Sequence, residues 1–314
     1  MKPDALGRRA RTAPPNRRVG RLILTDADYA LFEAIDRHGP LPTPYLYEFN
    51  RHLRRDYTHL QNRLTEFYNG DVGGSYLTRP PQQFAAYEAR YQHLVYDLTH
   101  RARTLVAERG TLTRAARRTD PFVHRLMCAC VSASFELAAS GHRLRYIGLS
   151  EILGRPAAMT AREAVNPLAL PTGLSGQPTV VPDMVFGLEY PGAGFRFFAV
   201  ECDRNTESIE RRNLRQSAFG RKLLAYGAAL DAETYRTWWG IPNLHILTVT
   251  TSALHAHNIL SAVVRHVERH HQHAFAVSVD TTFGANWRVP SAPLSSMLSS
   301  AWDGVGAKRN FASA

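Results

Sequence analysis

Two apolar runs that carry acidic residues constrain the fold of this chain more than any other feature. The first run, residues 179–188, contains Pro182-Asp183, and the second, residues 195–203, ends in Glu201-Cys202-Asp203. The turn residues Pro191-Gly192-Ala193-Gly194 separate them, which predicts a β-hairpin. Side chains alternate between the two faces of a strand, so Glu201 and Asp203 are expected to share one face. The hairpin therefore places three carboxylates at the ends of two buried strands.

Grouped carboxylates repel one another and raise each other's pKa unless a cation neutralises them. Mg²⁺ is the usual cation for a site with few protein oxygens. Asp183, Glu201 and Asp203 are therefore candidate Mg²⁺ ligands, in a layout that phosphodiester nucleases use. A second interpretation needs no metal. In it, Asp183 ends a turn, and Asp203 caps the following helix or pairs with an arginine.

The composition favours a soluble protein with an anionic partner. With 314 residues, 44% of them apolar, the chain is long enough for two domains with a core each. The net charge of +11 points to double-stranded DNA as the partner. We find no run of about 18 apolar residues and no apolar signal near the N-terminus, so we expect a cytoplasmic protein that does not enter a membrane.

The first third of the chain has the pattern of a small DNA-binding domain. Residues 1–21 are rich in arginine and poor in apolar residues, which predicts a disordered basic arm. In residues 22–112, apolar residues at helical spacing predict three helices, beginning near Asp26, Thr43 and Arg54. Two strands, about residues 75–79 and 93–98, and a fourth helix follow. This order predicts a winged helix-turn-helix domain.

A winged helix places its third helix in the major groove, where arginine, glutamine and asparagine side chains read base edges. The candidate DNA-binding residues on this helix are Arg54, Arg55, His59, Gln61 and Arg63. The alternatives are a winged helix that contacts protein and a helix face that is simply solvated.

The remainder predicts a second domain over residues 119–290, followed by a tail over residues 291–314. Helices and strands are expected in the order α-β-β-β-α-β-α-β, which gives an α/β (α+β) fold class with a mixed sheet and helices on its faces. The helix after the acidic strand, about residues 208–230, carries Arg211, Arg212 and Arg215. These arginines are candidates for holding a phosphate backbone, or else form a solvated basic face.

This order, with Asp183 on the second strand and Glu201 at the end of the third, resembles the PD-(D/E)XK nuclease fold. The resemblance is partial, because Asp203 stands where that motif has lysine. Lys222 or Arg221 on the next helix is expected to reach in instead. The domain is then either degenerate, with no cofactor, or an active nickase. In an active enzyme, Asp183, Glu201 and Asp203 would hold Mg²⁺ and Lys222 would steady the transition state.

Together, the winged helix and the downstream motif resemble the plasmid replication-relaxation family of bacterial mobile elements, over residues 22–250. The residues that carry this resemblance are Pro182, Asp183, Glu201, Asp203, Arg204, Thr206, Glu207, Lys222 and Tyr226. It implies a DNA-binding protein in plasmid replication, DNA relaxation or mobilisation. Replication or transfer proteins and a second copy of the chain are further candidate partners. An active Mg²⁺-dependent DNA nickase and a winged-helix transcription regulator remain the alternatives.

Overall fold

The computed structural model describes residues 11–85, 91–110, 120–204 and 218–313, and it divides into two compact units. Among these residues, unit 1 comprises 11–85, 91–110, 120–133 and 288–293, and unit 2 comprises 134–204, 218–287 and 294–313. The mixed α/β class expected from the sequence is confirmed.

Unit 1 contains a helical group and a small antiparallel sheet. In chain order, its elements are α1 (Asp26–His38), β1 (Leu41–Pro42), α2 (Thr43–Asn50), α3 (Tyr57–Asn69), β2 (Leu77–Thr78), β3 (Val95–Leu98) and α4 (His100–Glu108). The strand order is β1-β3-β2, with Leu41 opposite Tyr96 and Leu77 opposite Leu98. The rings of Phe32 and Phe67 pack in the core, 4.9 Å apart.

The three expected helices are present, but α3 begins later than predicted. The side chain of Asp56 accepts a hydrogen bond from the backbone N–H of His59 at 2.7 Å, which caps the helix at that point. Arg54 and Arg55 therefore lie in the turn before the helix.

Residues 11–21, expected to belong to a disordered arm, lie along unit 1 instead. Ala13 is buried, and its carbonyl accepts a hydrogen bond from the Tyr68 hydroxyl at 2.8 Å. The N–H of Arg18 donates to the carbonyl of Gly70, and that of Leu22 to the carboxylate of Asp71. Residues 1–10 of the predicted arm lie outside the described residues.

Unit 2 is built on a seven-stranded mixed sheet. Its helices are α6 (Leu149–Gly154), α7 (Met159–Glu163), α8 (Ala218–Asp231), α9 (Thr234–Trp238), α10 (Ala253–His266) and α11 (Ser296–Ser299). They follow α5 (Phe122–Gly141), which is divided between the two units. The sheet strands are β4 (Arg145–Ile147), β7 (Met184–Tyr190), β8 (Gly194–Asp203), β9 (His245–Thr250), β10 (Phe275–Val279), β11 (Trp302–Gly304) and β12 (Lys308–Arg309). A separate hairpin is formed by β5 (Leu170–Leu174) and β6 (Gln177–Val180).

The strand order is β12-β11-β10-β9-β8-β7-β4, with β8, β9 and β10 parallel and the other pairs antiparallel. Alternation along β8 sends Phe197 and Ala199 into a core shared with Leu223 and Tyr226 of α8. Phe198 points to the opposite face, where it contacts Phe186. Because β8 lies between β9 and β7, its acidic end is in the interior of the sheet and not at an edge.

Residues 291–314, expected to be a tail, contribute α11, β11 and β12 to unit 2. Trp302 and Phe311 are buried, and their rings contact each other at 6.0 Å. The carbonyl of Phe311 also accepts a hydrogen bond from the Tyr190 hydroxyl. Burial of these two aromatic side chains explains why a segment rich in serine, alanine and glycine is held in place.

Among the described residues, α5 alone is long and apolar enough to cross a membrane, and 61% of its apolar window is buried inside the structure. That burial is consistent with a core helix of a soluble protein.

Candidate functional site

The candidate site lies where β8 ends between β7 and β9. In the register of the sheet, Glu201 is opposite Thr248 of β9, and Asp203 is opposite Thr250. The two carboxylates lie on the same face, as the alternation predicted. Two helices, α8 and α10, provide the side chains that meet them.

Glu201 is buried and accepts hydrogen bonds at both carboxylate oxygens. The ammonium of Lys222 donates to Oε2 at 2.5 Å, and the hydroxyl of Tyr226 donates to Oε1 at 2.6 Å. Lys222 and Tyr226 are four residues apart and share one face of α8, so both reach the same carboxylate. The structure thus brings together Glu201 and Lys222 as expected. Arg221 is exposed on the same helix.

Burial raises the pKa of Glu201 to about 7. Lys222 and Tyr226 oppose this rise, whereas the neighbouring carboxylate of Asp183 adds to it. The side chain of Glu201 is only 4% exposed, which is why desolvation outweighs the lysine. Near neutral pH, this carboxyl group is therefore divided between its protonated and ionised forms.

Asp183 lies beside the same strand, at the start of β7. Its backbone N–H donates to the carbonyl of Val200 at 3.0 Å, and its carboxylate accepts from the N–H of Cys202 at 2.7 Å. Asp183 thereby extends the pairing of β7 with β8 by one side-chain hydrogen bond. The hairpin register brings Asp183 and Glu201 close together, as the sequence predicted.

Asp203 is paired with a histidine that the sequence analysis did not identify. His255 Nε2 lies 2.6 Å from Asp203 Oδ2, and the ring is nearly buried. An ionised carboxylate only accepts, so Nε2 carries the proton in this pair. Ser252 caps α10 and accepts from the N–H of His255, which fixes the histidine in the first turn. The capping serine, two residues after the end of β9 and directly before the apolar residues of α10, was the available sequence signal.

The three carboxylates do not fit a shared Mg²⁺ site as they stand. Glu201 is bonded to Lys222 and Tyr226, and Asp203 to His255. Among the described residues, the three do not form a group whose ligand oxygens all lie within 4.8 Å of one another. A cation bound by all three would have to displace a lysine and a histidine that already supply the compensating positive charge or hydrogen bonds.

The predicted DNA-binding residues of unit 1 separate into two sets. Arg54 and Arg63 both bind the carboxylate of Asp28, with side chains only 6% and 16% exposed. Arg54 connects the turn before α3 to α1, and Arg63 connects the middle of α3 to it, which corrects the expectation that these two arginines face DNA. Arg55, His59 and Gln61 are exposed. Arg211, Arg212 and Arg215 lie outside the described residues.

The sequence matches the model of a known protein family. The replication-relaxation family model covers residues 32–233, well over half of the sequence and parts of both units. No curated protein and no solved structure gave a significant match. The matched range includes Asp183, Glu201 and Lys222. The chain therefore belongs to the replication-relaxation family.

Proposed function

We propose that this protein binds double-stranded DNA of a bacterial plasmid or other mobile element through unit 1. In this proposal, unit 1 is a winged helix and unit 2 is a nuclease-like domain that has lost its metal chemistry. The protein would act in the cytoplasm as an initiator that brings replication or transfer proteins, or a second copy of itself, to the DNA. Membership of the replication-relaxation family supports a role in the replication or relaxation of such DNA.

The exposed face of α3 is the observation that carries DNA binding. His59 and Gln61 are exposed there, and Arg55 precedes the helix as an exposed cation. The neighbouring Asn62 is also exposed. Glutamine and asparagine side chains can pair with adenine edges, and arginine with guanine or phosphate. The element order of unit 1, with α3 followed by two antiparallel strands, is the arrangement that a winged helix uses.

The hydrogen bonding of Glu201 supports a binding role for unit 2. Lys222 and Tyr226 donate hydrogen bonds to its two oxygens, so the group is stabilised by protein side chains without a metal ion. A buried carboxyl group with a pKa of about 7 is also a weaker Mg²⁺ ligand at neutral pH, because metal binding requires the ionised form.

A DNA nickase is the second candidate function. The observation that favours it is the hydrogen bond of Lys222 to Glu201, next to Asp183, because in an active enzyme this lysine would take the role of the one missing from the nuclease motif. If the protein is active, Lys222 would stabilise the developing charge on phosphate.

Fluorescence anisotropy with labelled duplexes tests DNA binding. We expect Arg55→Ala and Gln61→Ala to weaken binding, with Gln61→Ala also relaxing the preference for the cognate sequence, at a cost of about 1–3 kcal/mol. Arg269→Ala, an exposed arginine of unit 2, is the matched control. Unchanged affinity in both the Arg55→Ala and the Gln61→Ala variants would rule out this face as the DNA-binding surface.

Incubation of supercoiled plasmid with wild type and Glu201→Gln, in Mg²⁺ or EDTA, separates the two functions. Intact plasmid together with retained duplex binding supports the binding role. Nicking that requires Mg²⁺ and disappears in Glu201→Gln would establish the nickase instead.

A further inference from the structure

A small cavity in unit 1 is lined by cations and polar donors. Its volume is about 200 Å³, and it lies between residues 11–13, the second half of α3 and the residue that follows β2. Arg11 and Arg79 line it together with Thr65, Tyr68 and Asn69. None of the described residues lining it is acidic.

Arg79 is held in the wall of this cavity by neutral groups. Its guanidinium stacks over the ring of Tyr68, 4.1 Å from the centroid, and donates to the carbonyl of Arg11 at 3.1 Å. It also donates to the hydroxyls of Tyr96 and Thr65 at 3.2 and 3.4 Å. Nε is buried and has no acceptor among the described residues. The positive charge of Arg79 is therefore oriented by the protein but meets no carboxylate in its described surroundings.

Arg11 brings a second cation to the same cavity. Burial lowers the pKa of Arg11, and the charge of Arg79 acts in the same direction, whereas Tyr96 opposes it. Two guanidinium groups that repel each other in a partly desolvated space lower their energy by sharing an anion. Arginine suits phosphate because its planar donors bind two oxygens at once.

The position of the cavity on α3 indicates where that anion comes from. Thr65 is exposed and lies four residues after Gln61 and three after Asn62, so it continues the exposed face proposed to meet DNA. A phosphate beside Thr65 would therefore lie along the same helix whose earlier residues reach base edges.

We propose that this cavity binds one phosphate group of a nucleic-acid backbone, held by Arg79 and Arg11. The inference rests on the proposed DNA binding and adds a positioning contact that carries no sequence information.

The test is the salt dependence of duplex binding by wild type, Arg79→Gln and Arg11→Gln, with Arg269→Gln as the control. Loss of one phosphate contact is expected to reduce the slope of log K against log salt concentration by about 0.9, equally on cognate and random duplexes. Arg79→Lys keeps the charge and should restore most of the slope. Thermal unfolding of each variant verifies that it folds. If Arg79→Gln does not fold, the salt dependence of Arg11→Gln provides the test.

The outcomes distinguish failure of the phosphate site from failure of the proposed DNA binding. Normal duplex binding with an unchanged slope in the arginine variants would overturn the phosphate site and leave DNA binding intact. A wild type that binds no duplex would overturn both. A further measurement compares the stability of the protein in sodium phosphate with its stability in NaCl at equal ionic strength. Stabilisation by inorganic phosphate that depends on Arg79, combined with an unchanged slope, would assign the cavity to a free anion and overturn the DNA assignment.

Discussion

Glu201 and Asp28 are two buried carboxylates that differ in how much positive charge surrounds them. Glu201 has one lysine and a tyrosine, and burial keeps its pKa raised. Burial would also raise the pKa of Asp28, but hydrogen bonds from Arg63, the Thr25 N–H and Arg54 outweigh it and lower the pKa to about 2. The two groups should therefore give opposite dependences of stability on pH.

For Glu201, the free energy of unfolding should fall as the pH rises from about 4.5 to about 7. In this window, the folded protein retains a proton that the unfolded chain, with a pKa near 4.5, has released. The contribution is complete below that window and lost above it, and a rise from about 4.5 to about 7 corresponds to on the order of 3 kcal/mol. Urea unfolding of wild type and Glu201→Gln across this range measures it. The exposed Glu108→Gln is the control, and parallel profiles for wild type and Glu201→Gln would contradict the assignment.

Asp28→Asn should destabilise unit 1 by about 3–5 kcal/mol, because two nearly buried guanidinium groups lose their shared counter-charge. In the wild type, this contribution should be present above about pH 4 and should decrease as the pH falls toward 2, since the folded pKa is depressed. Thermal unfolding measures both effects.

Asp26→Asn is the matched control for Asp28→Asn. It alters the same helix, at a carboxylate that is 94% exposed and pairs with Arg109. We expect it to cost no more than about 1 kcal/mol. Equal destabilisation by the two substitutions would show that the buried ion pairs of Asp28 contribute no more to stability than the exposed pair of Asp26.

These residues also show which side-chain contacts could be predicted from the sequence. Strand alternation placed Glu201 and Asp203 on one face of β8, and the i, i+4 spacing placed Lys222 and Tyr226 on one face of α8. The choice between Lys222 and Arg221 as the cation beside Glu201 depended on the packing of α8 against the sheet, and local periodicity left it open. The contact of Arg63 with Asp28 joins residues 35 positions apart, and no local pattern distinguishes a buried arginine from one that faces DNA. Asp203 with His255 is likewise a long-range contact that depends on the order of the strands.

At the scale of elements, β8 owes its position to a close approach at β7. Gly187 is opposite both Phe197 of β8 and Ile147 of β4. A Cβ atom at position 187 would come within 2.6 Å of the Phe197 ring. The absence of a side chain allows this ring to cover β7 and continue the core beneath Glu201. The hairpin itself was predictable from its turn residues, whereas this approach depends on packing across three strands.

Gly187→Ala should therefore destabilise unit 2 by about 1–3 kcal/mol through overpacking. The Phe197 ring would have to move, and the Ile147 Cβ at 3.3 Å limits the room on the other side. Gly154→Ala, where nothing lies within 4 Å of the added atom, is the control. Denaturant unfolding compares the two, and a neutral Gly187→Ala would mean that the strands separate easily at this point.

For the whole molecule, the net charge of +11 predicts that the affinity for DNA depends strongly on ionic strength. If unit 1 neutralises about four phosphates, its affinity for a random duplex should fall roughly a hundredfold between about 50 and 200 mM salt. Anisotropy titrations across this range measure the slope. A salt-independent affinity would contradict binding to the DNA backbone and would favour a protein or small-molecule partner.

The edges of the seven-stranded sheet have a consequence for how copies of the protein behave at high concentration. One edge strand, β12, consists of Lys308 and Arg309 alone, and the other, β4, has three residues and begins with the exposed Arg145. A long apolar edge would offer its unpaired backbone groups to a neighbouring molecule, whereas short strands with cationic side chains make that pairing unfavourable. The segment that was expected to be a loose tail thus ends the sheet in a form that discourages sheet-to-sheet aggregation.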